Sequence, residues 1–505
     1  MLVYFRTDLS LKIGTGHAIR CLALSKALKQ KGIETKFIFK DYLDGTRPQI
    51  EKLFDQPLFL KSEAREKKGM INGEYRWSKT TLKQDAAETK KLLRNKDIDW
   101  LIIDHYSINK EWEKIVKKEV KNILVIDDLA DRDHLCDVLL DSNSNPSAHL
   151  IYKKRVNKSA DLLLGSKYAL LNSNFSIVRS CLRKRSFKKP NILIFFGGID
   201  INDYTFHAVE ALSMLEKNIN AVDVVVGGAY ANKKTLRALC KKHGFKLHIQ
   251  TKKMHELMAN ADISIGSGGS ATWERCCVGL PSLVIAAAEN QKDIIYHASR
   301  QGLIYAPSKK ESISIFLRKH LASFIANEPL LEFMSNNCLE AVDGKGSNRV
   351  ANLLIGKSLR VRKVDSKDTK NIFNWRNDPL IRNMSRNKKI IKLSDHTSWI
   401  SQIISSDKDV LLIIENHKEP IGVVRYEINE LNSAEISIYL VPNKIGTGLG
   451  KIVLLKADEW FKSNHPSIKQ INANVLSNNT KSMHIFESAN YKLNNSWFSK
   501  KIQLN

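Results

Sequence analysis

Two short stretches of this chain bring together residue types that can do chemistry. In the first, the glycine turn Gly14-Thr15-Gly16 delivers His17 to the start of a helix carrying Ala18, Cys21, Leu22, Leu24 and Leu28. A histidine at a strand-to-helix turn faces the cleft beyond the strand ends. The helix N-terminus disfavours imidazolium, so His17 has the position and the neutral form that a general base needs. The competing assignment is a capping or packed histidine. In the second stretch, Ile265-Gly-Ser-Gly-Gly-Ser-Ala-Thr-Trp-Glu-Arg275 reads as a strand, a glycine loop and a helix. Backbone N–H groups at such a helix start are free to take a phosphate, and glycines let it approach closely, so the expected ligand is a diphosphate. Glu274, one turn into that helix, can accept hydrogen bonds from both hydroxyls of a ribose. A glycine turn alone also serves packing, and it is the later Ala287-Ala-Glu-Asn-Gln291 that strengthens the ligand assignment.

The elements that must hold these residues follow from hydrophobic periodicity. From Met1 to about Asn145, short β-rich runs (Leu2 to Arg6, Thr35 to Phe39, Trp100 to Asp104, Ile123 to Asp127) alternate with helical patterns, the signature of a parallel sheet with crossover helices. The alternation restarts at Asn191 to Phe196 and continues through Ala221 to Val226, Lys246 to Gln250, Ile263 to Ser267 and Ser282 to Ala286. The fold class is α/β, with two Rossmann-like halves expected over 1–155 and 156–348. Sheets of this kind bind ligands outside the carboxyl ends of their strands, where both motifs fall. Asp104, His105, Asp127 and Asp128 also sit at strand ends in the first half, as further site candidates or as loop and cap residues. After about Asn348 the pattern turns to antiparallel-looking strands, and a third domain is expected over 358–505.

Taken together, the run from Gly14 to Cys21, Asp104-His-Tyr106, Ile126 to His134, Phe196-Gly-Gly-Ile-Asp200, Ser267 to Glu274 and Glu289-Asn-Gln291 resemble the UDP-2,4-diacetamido-2,4,6-trideoxy-β-L-altropyranose hydrolases of pseudaminic acid biosynthesis. The resemblance spans residue 1 to about 345. It implies a GT-B-like arrangement, with the nucleotide on the second half and the sugar facing the first. It makes His17 the base that activates water at the anomeric carbon, with Gly16 beside it. Ser267, Gly268, Gly269 and Ser270 would take the departing diphosphate, Glu274 the ribose, and Asn290 with Gln291 the sugar or phosphate.

Further on, Glu435 to Leu440 is an alternating strand, followed by Val441-Pro-Asn-Lys-Ile-Gly-Thr-Gly-Leu-Gly450 and an amphipathic helix with Val453, Leu454, Ala457, Trp460 and Phe461. This resembles the GNAT superfamily of N-acetyltransferases, an α+β fold. The resemblance implies that Ile445, Gly446, Gly448, Leu449 and Gly450 wrap the pyrophosphate of acetyl-CoA, and that the segment beginning at Asn479 also contacts the cofactor. Ile445 stands where the family has Arg or Gln, and Phe486 where many members have a tyrosine acid. Glu435 and Tyr439 are the substitute acid/base candidates. Joined to such a hydrolase, an acetyltransferase would act on the 4-amino group of the UDP-sugar precursor, one step earlier.

Composition narrows the partners. The chain has 505 residues, 43% of them hydrophobic, enough for several packed cores. Its formal charge of +27 would suit a nucleic acid, but the Lys and Arg residues are scattered and no aromatic-interleaved basic stretch appears. Neither nucleic acid nor membrane is an expected partner. The seven cysteines are odd in number and Cys276-Cys277 fits no zinc spacing, so a cytoplasmic protein with reduced thiols and no metal is expected. Two other functions share these motifs: a GT-B glycosyltransferase using a UDP-sugar donor, and a nucleotide-sugar-binding protein without catalysis.

Overall fold

The computed structural model describes the chain except residues 11–12, 62–67, 72–73, 199, 309–310, 430–431, 495–496 and 502–505. It divides into two compact units, one of Leu2–Lys29 with Ile33–Ala351, the other of Asn352–Asn505 with Met1 and Gln30–Gly32.

The larger unit holds two parallel sheets. The first has seven strands in the order Leu58–Leu60, Glu34–Lys40, Leu2–Thr7, Ile98–Asp104, Val120–Ile126, Val138–Asp141 and Asp161–Leu164. All neighbours run parallel. Central strands covered by helices on both faces must be apolar throughout. Every residue of Ile98–Asp104 is buried accordingly, its one early acid, Asp99, accepting the backbone N–H of Leu2 at 2.8 Å. The strand order reverses between Leu2–Thr7 and Ile98–Asp104. Chains leaving these neighbours turn to opposite faces of the sheet and leave a crevice between them.

The second sheet has five parallel strands, ordered Lys246–Ile249, Ala221–Val226, Asn191–Phe195, Ile263–Ser267 and Ser282–Ile285. Its reversal lies between Asn191–Phe195 and Ile263–Ser267. Ile192, Ile194, Ile263 and Ile265 are all buried in its core, each contributing about 1.5–3 kcal/mol by leaving water.

The smaller unit is built on a seven-stranded sheet ordered Arg360–Lys363, Asp409–Asn416, Glu419–Ile428, Ser433–Leu440, Gln470–Asn474, Trp497–Lys501 and Lys492–Asn494. All pairs are antiparallel except Ser433–Leu440 with Gln470–Asn474, which pair in parallel only from Ser433 to Ile436. Two neighbouring strands in parallel need a crossover, and the helix Gly450–Asn464 supplies it. Its Phe461 stacks on Tyr426 of the sheet with ring centroids 3.9 Å apart.

Candidate active site

At the first reversal point, Thr7 lies opposite Asp104 in neighbouring strands, so the chain segments that follow them open side by side. Gly14, at φ 82°, takes the left-handed turn that leads into the helix Gly16–Lys29. His17 therefore faces the end of the Asp104 strand, and its Nδ1 meets Asp104 Oδ1 at 2.5 Å. Arg20, three residues along the same helix face, donates through Nε to Asp104 Oδ2 at 2.6 Å and through Nη2 to Oδ1 at 2.6 Å. Its Nη1 reaches Asp128 Oδ2 at 2.8 Å. Burial alone would push the Asp104 carboxyl up. The guanidinium of Arg20, followed by His17, instead holds it well below the usual carboxylate range. An ionised carboxylate only accepts, so His17 Nδ1 carries the hydrogen toward Asp104, and in the neutral ring Nε2 is the nitrogen with the lone pair. His17 lines the cleft, and among the described residues Nε2 makes no hydrogen bond.

The neighbouring histidine is built the opposite way. His105 Nδ1 accepts the Ser107 N–H at 2.9 Å, and its Nε2 lies 3.1 Å from Asp8 Oδ2. Both ring nitrogens are committed, and burial pushes its pKa down. Asp127 is likewise tied within its own segment, to Arg132 at 2.8 Å, the Tyr152 hydroxyl at 3.0 Å and the Ala130 N–H at 2.9 Å. Of the four strand-end candidates, then, Asp104 joins His17 directly and Asp128 through Arg20, while His105 and Asp127 brace loops. Arg20 itself is the residue that sequence reasoning missed. Its signal was the three-residue spacing from His17, which puts both on one helix face.

The opposite wall comes from the second sheet's reversal point. Gly197 and Gly269 take positive φ values of 101° and 93°. A side chain at Gly268 would put Cβ 2.8 Å from Ile295. A Cβ at Gly16 would lie 3.9 Å from Ser270 Oγ, and one at Gly198 3.4 Å from Thr15 Oγ1. The turn that carries His17 and the two glycine loops of the second sheet thus converge on one cleft of about 990 Å³, within the range of small-ligand sites. Ile199 of the second glycine stretch lies outside the described residues. The helix after Ser270 is only Ala271–Cys277, so what the loop offers an anion is its local N–H groups rather than a long dipole.

Glu274 lines the same cleft, where burial pushes its carboxyl up to about 7. Gln291 accepts the Ala287 N–H at 2.9 Å through Oε1, which fixes its amide beside the Ser267–Ser270 loop. Asn290 donates from Nδ2 to the Tyr106 hydroxyl at 3.3 Å, joining the two walls. Tyr106 in turn sits edge-on to His17, centroids 4.5 Å apart. All eight cleft residues named from the sequence besides His17 border this space: Gly16, Ser267, Gly268, Gly269, Ser270, Glu274, Asn290 and Gln291.

In the smaller unit the residues of the glycine turn have different jobs. Gly446 and Gly448 hold φ values of 85° and 75°, and a Cβ at Gly446 would touch nothing among the described residues, so the backbone conformation is what requires glycine there. Gly450 is a packing residue, since a Cβ would come 2.6 Å from Ile485. Ile445 is partly exposed and Leu449 is buried. Asn479 caps the helix Thr480–Ser488, its side chain accepting the Ser482 N–H at 3.1 Å. Glu435 is paired to Arg386 Nη2 at 2.5 Å. Tyr439, four residues on and on the same strand face, has a buried hydroxyl without a hydrogen-bond partner among the described residues, and burial raises its pKa. Phe486 is buried against Tyr491, whose hydroxyl is bound to Asp458 at 3.0 Å.

Comparison with known proteins agrees with these two architectures. Residues 182–339 match the family of glycosyl transferases group 1, and residues 358–492 match the acetyltransferase (GNAT) domain. An uncharacterised protein of Methanocaldococcus jannaschii is 24% identical over 514 residues, covering 96% of each chain. The UDP-2,4-diacetamido-2,4,6-trideoxy-β-L-altropyranose hydrolase of Campylobacter jejuni is 24% identical over 304 residues, 60% of this chain and 97% of its own. The crystal structure of Acinetobacter baumannii MurG aligns with a TM-score of 0.50 at 14% identity, covering 70% of this chain and 99% of MurG. The chain joins a GT-B region of two parallel Rossmann-like sheets to a GNAT acetyltransferase domain. Among the described residues no helix is long and apolar enough to cross a membrane.

Proposed function

From a chain that joins a GT-B region to a GNAT domain, we propose a cytoplasmic bifunctional enzyme in which the GNAT domain N-acetylates a UDP-4-amino sugar and the GT-B region then hydrolyses it. The product sugar is 2,4-diacetamido-2,4,6-trideoxy-L-altropyranose, released with UDP. Residues 1–155 form the sugar side, 156–348 the UDP side, and 358–505 the acetyltransferase. The observation that carries the hydrolytic step is the His17–Asp104 pair, with Nε2 of His17 uncommitted in the cleft across from the Ser267–Ser270 loop.

In this mechanism His17 Nε2 takes a proton from water as the water oxygen bonds to the anomeric carbon. The bond from that carbon to the diphosphate oxygen breaks, and its electron pair leaves on UDP. Asp104, held ionised by Arg20, stabilises the imidazolium that forms. The N–H groups of Ser267, Gly268, Gly269 and Ser270 face the charge that develops on the diphosphate. Glu274 binds the ribose, Asn290 and Gln291 orient the sugar and phosphates, and Gly16 leaves the two walls room to approach.

In the acetyltransferase, Ile445, Gly446, Gly448, Leu449, Gly450 and the Asn479 segment hold acetyl-CoA. The sugar amine attacks the acetyl carbonyl and CoA leaves as its thiol. Tyr439, kept protonated by burial, returns a proton to the sulfur, and Glu435 takes one from the amine.

The experiment follows UDP and sugar masses after mixing the chain with UDP-4-amino-4,6-dideoxy-N-acetyl-β-L-altrosamine, with and without acetyl-CoA. The expected result is free diacetamido sugar only when acetyl-CoA is present. The match to group 1 glycosyl transferases favours a second reading, sugar transfer to an acceptor. Acetylated UDP-sugar that stays intact until an acceptor is added would establish that reading instead.

A further inference from the structure

We propose that Arg275 is a positioning residue that supplies the counter-charge for a diphosphate seated in the Ser267–Ser270 loop. The inference rests on the proposed UDP site. Arg275 follows Glu274 on the helix Ala271–Cys277, and side chains on a helix lean toward its N-terminus, so the guanidinium lies back under the loop that precedes the helix. Nη2 donates to the Ser267 carbonyl at 2.8 Å and to Thr272 Oγ1 at 3.3 Å. The side chain is fully buried, and among the described residues Nε and Nη1 have no hydrogen-bond partner. Nη1 lies 2.9 Å from where a Cβ on Gly266 would stand, so the guanidinium is pressed against the strand that feeds the loop.

The chain shows what it does with a buried guanidinium that serves only the fold. Arg6, equally buried, is clasped by Asp8 at 2.5 Å and Asp85 at 2.7 Å. Arg275 has no such carboxylate within ion-pair reach among the described residues. An isolated buried cation is costly, and a protein ordinarily pairs it or replaces it with an apolar side chain. Burial lowers the Arg275 pKa to about 10, which leaves it a cation at neutral pH. The ionisable neighbour in sequence, Glu274, is raised to about 7 by its own burial and offers only part of a negative charge. The missing compensation is what a diphosphate one loop away would bring. By fixing the Ser267 carbonyl, Arg275 also keeps that residue's peptide from turning its oxygen toward the ligand.

Charge and scaffold roles separate by comparing UDP with uridine, measured by calorimetry on the full-length chain. Arg275→Met is expected to weaken UDP binding by roughly tenfold or more, since an interaction between charges at loop distance acts in a low-dielectric setting. Uridine, which lacks the phosphates, should bind the variant within about twofold of the parent. The melting temperature should hold or rise, because an uncompensated cation has been replaced by an apolar side chain. Arg275→Lys keeps the charge and should recover most of the UDP affinity. Equal losses for UDP and uridine, or a collapsed melting curve in Arg275→Met, would make the arginine a scaffold residue and overturn the inference. A parent chain that binds uridine but not UDP would remove the diphosphate site itself, and with it both the inference and the proposed hydrolysis.

Discussion

Replacing Asp104 with asparagine separates the two things its carboxylate does. One oxygen takes the His17 Nδ1 hydrogen at 2.5 Å, and both oxygens take Arg20. Asparagine keeps one accepting oxygen and gains an NH₂. If the NH₂ faces His17, Nδ1 must become the acceptor, the hydrogen moves to Nε2, and the lone pair in the cleft disappears. If it faces the Oδ2 side, Nδ1 keeps its hydrogen, and in either orientation the NH₂ meets one Arg20 donor. In the first arrangement a histidine base in the wrong tautomer loses about 10³–10⁴-fold in kcat, or about 4–5.5 kcal/mol of barrier. Arg20 would keep one of its two bonds to this residue, so stability should fall by only about 1–3 kcal/mol. UDP affinity, which the proposed site places on the other sheet, should stay within about twofold. The assay is release of UDP from the acetylated UDP-sugar, alongside UDP binding by calorimetry. The wild-type carboxyl has a folded pKa below its unfolded value of about 3.9, so its contribution to stability is present above that value and lost as pH falls further. Asp104→Asn should therefore soften the acid unfolding limb as well. A folded Asp104→Asn chain with kcat within tenfold of wild type would refute the tautomer argument, and parallel loss of UDP binding would make the residue structural.

Glu274 has the opposite sign. Its folded pKa, raised to about 7 by burial, means that the folded state holds its proton longer, so stability falls as pH rises from about 4.5 to 7. Glu274→Gln should raise the melting temperature at pH 8 much more than at pH 5, with a difference of at most about 3 kcal/mol, while weakening nucleotide binding. Gly446→Ala forces a side chain onto a φ of 85° at a cost of about 1–2 kcal/mol, and should raise the KM for acetyl-CoA several-fold while leaving UDP release from pre-acetylated substrate unchanged. Tyr439→Phe removes a buried hydroxyl that no group among the described residues satisfies, so melting should be unchanged or higher while kcat for acetyl transfer drops about 10²-fold or more; an unchanged kcat would exclude Tyr439 as the proton donor.

What the sequence alone determined is local. Strands such as Ile263–Ser267 and the glycine loops after them were legible because a buried parallel strand is a continuous apolar run and a positive-φ turn calls for glycine. The four-residue strands Val138–Asp141 and Asp161–Leu164, which widen the first sheet, were not legible, since four apolar residues fit a helix turn as well as a strand. The sequence offers Asn479 as a cofactor contact, and the helix cap that its side chain also forms is a contact that sequence spacing leaves open. Only the tertiary structure decided which strand-end acids reach His17. Asp104 is 87 residues away in the chain, and it arrives because the strand order sets Thr7 opposite Asp104. The same order hands Asp8 to His105 and leaves that histidine with no free nitrogen. Strand order is fixed by how whole faces of the sheet are covered, which no window of neighbouring residues contains, and so His17 and the strand-end acids were visible in the sequence as candidates while which of those acids His17 meets was not.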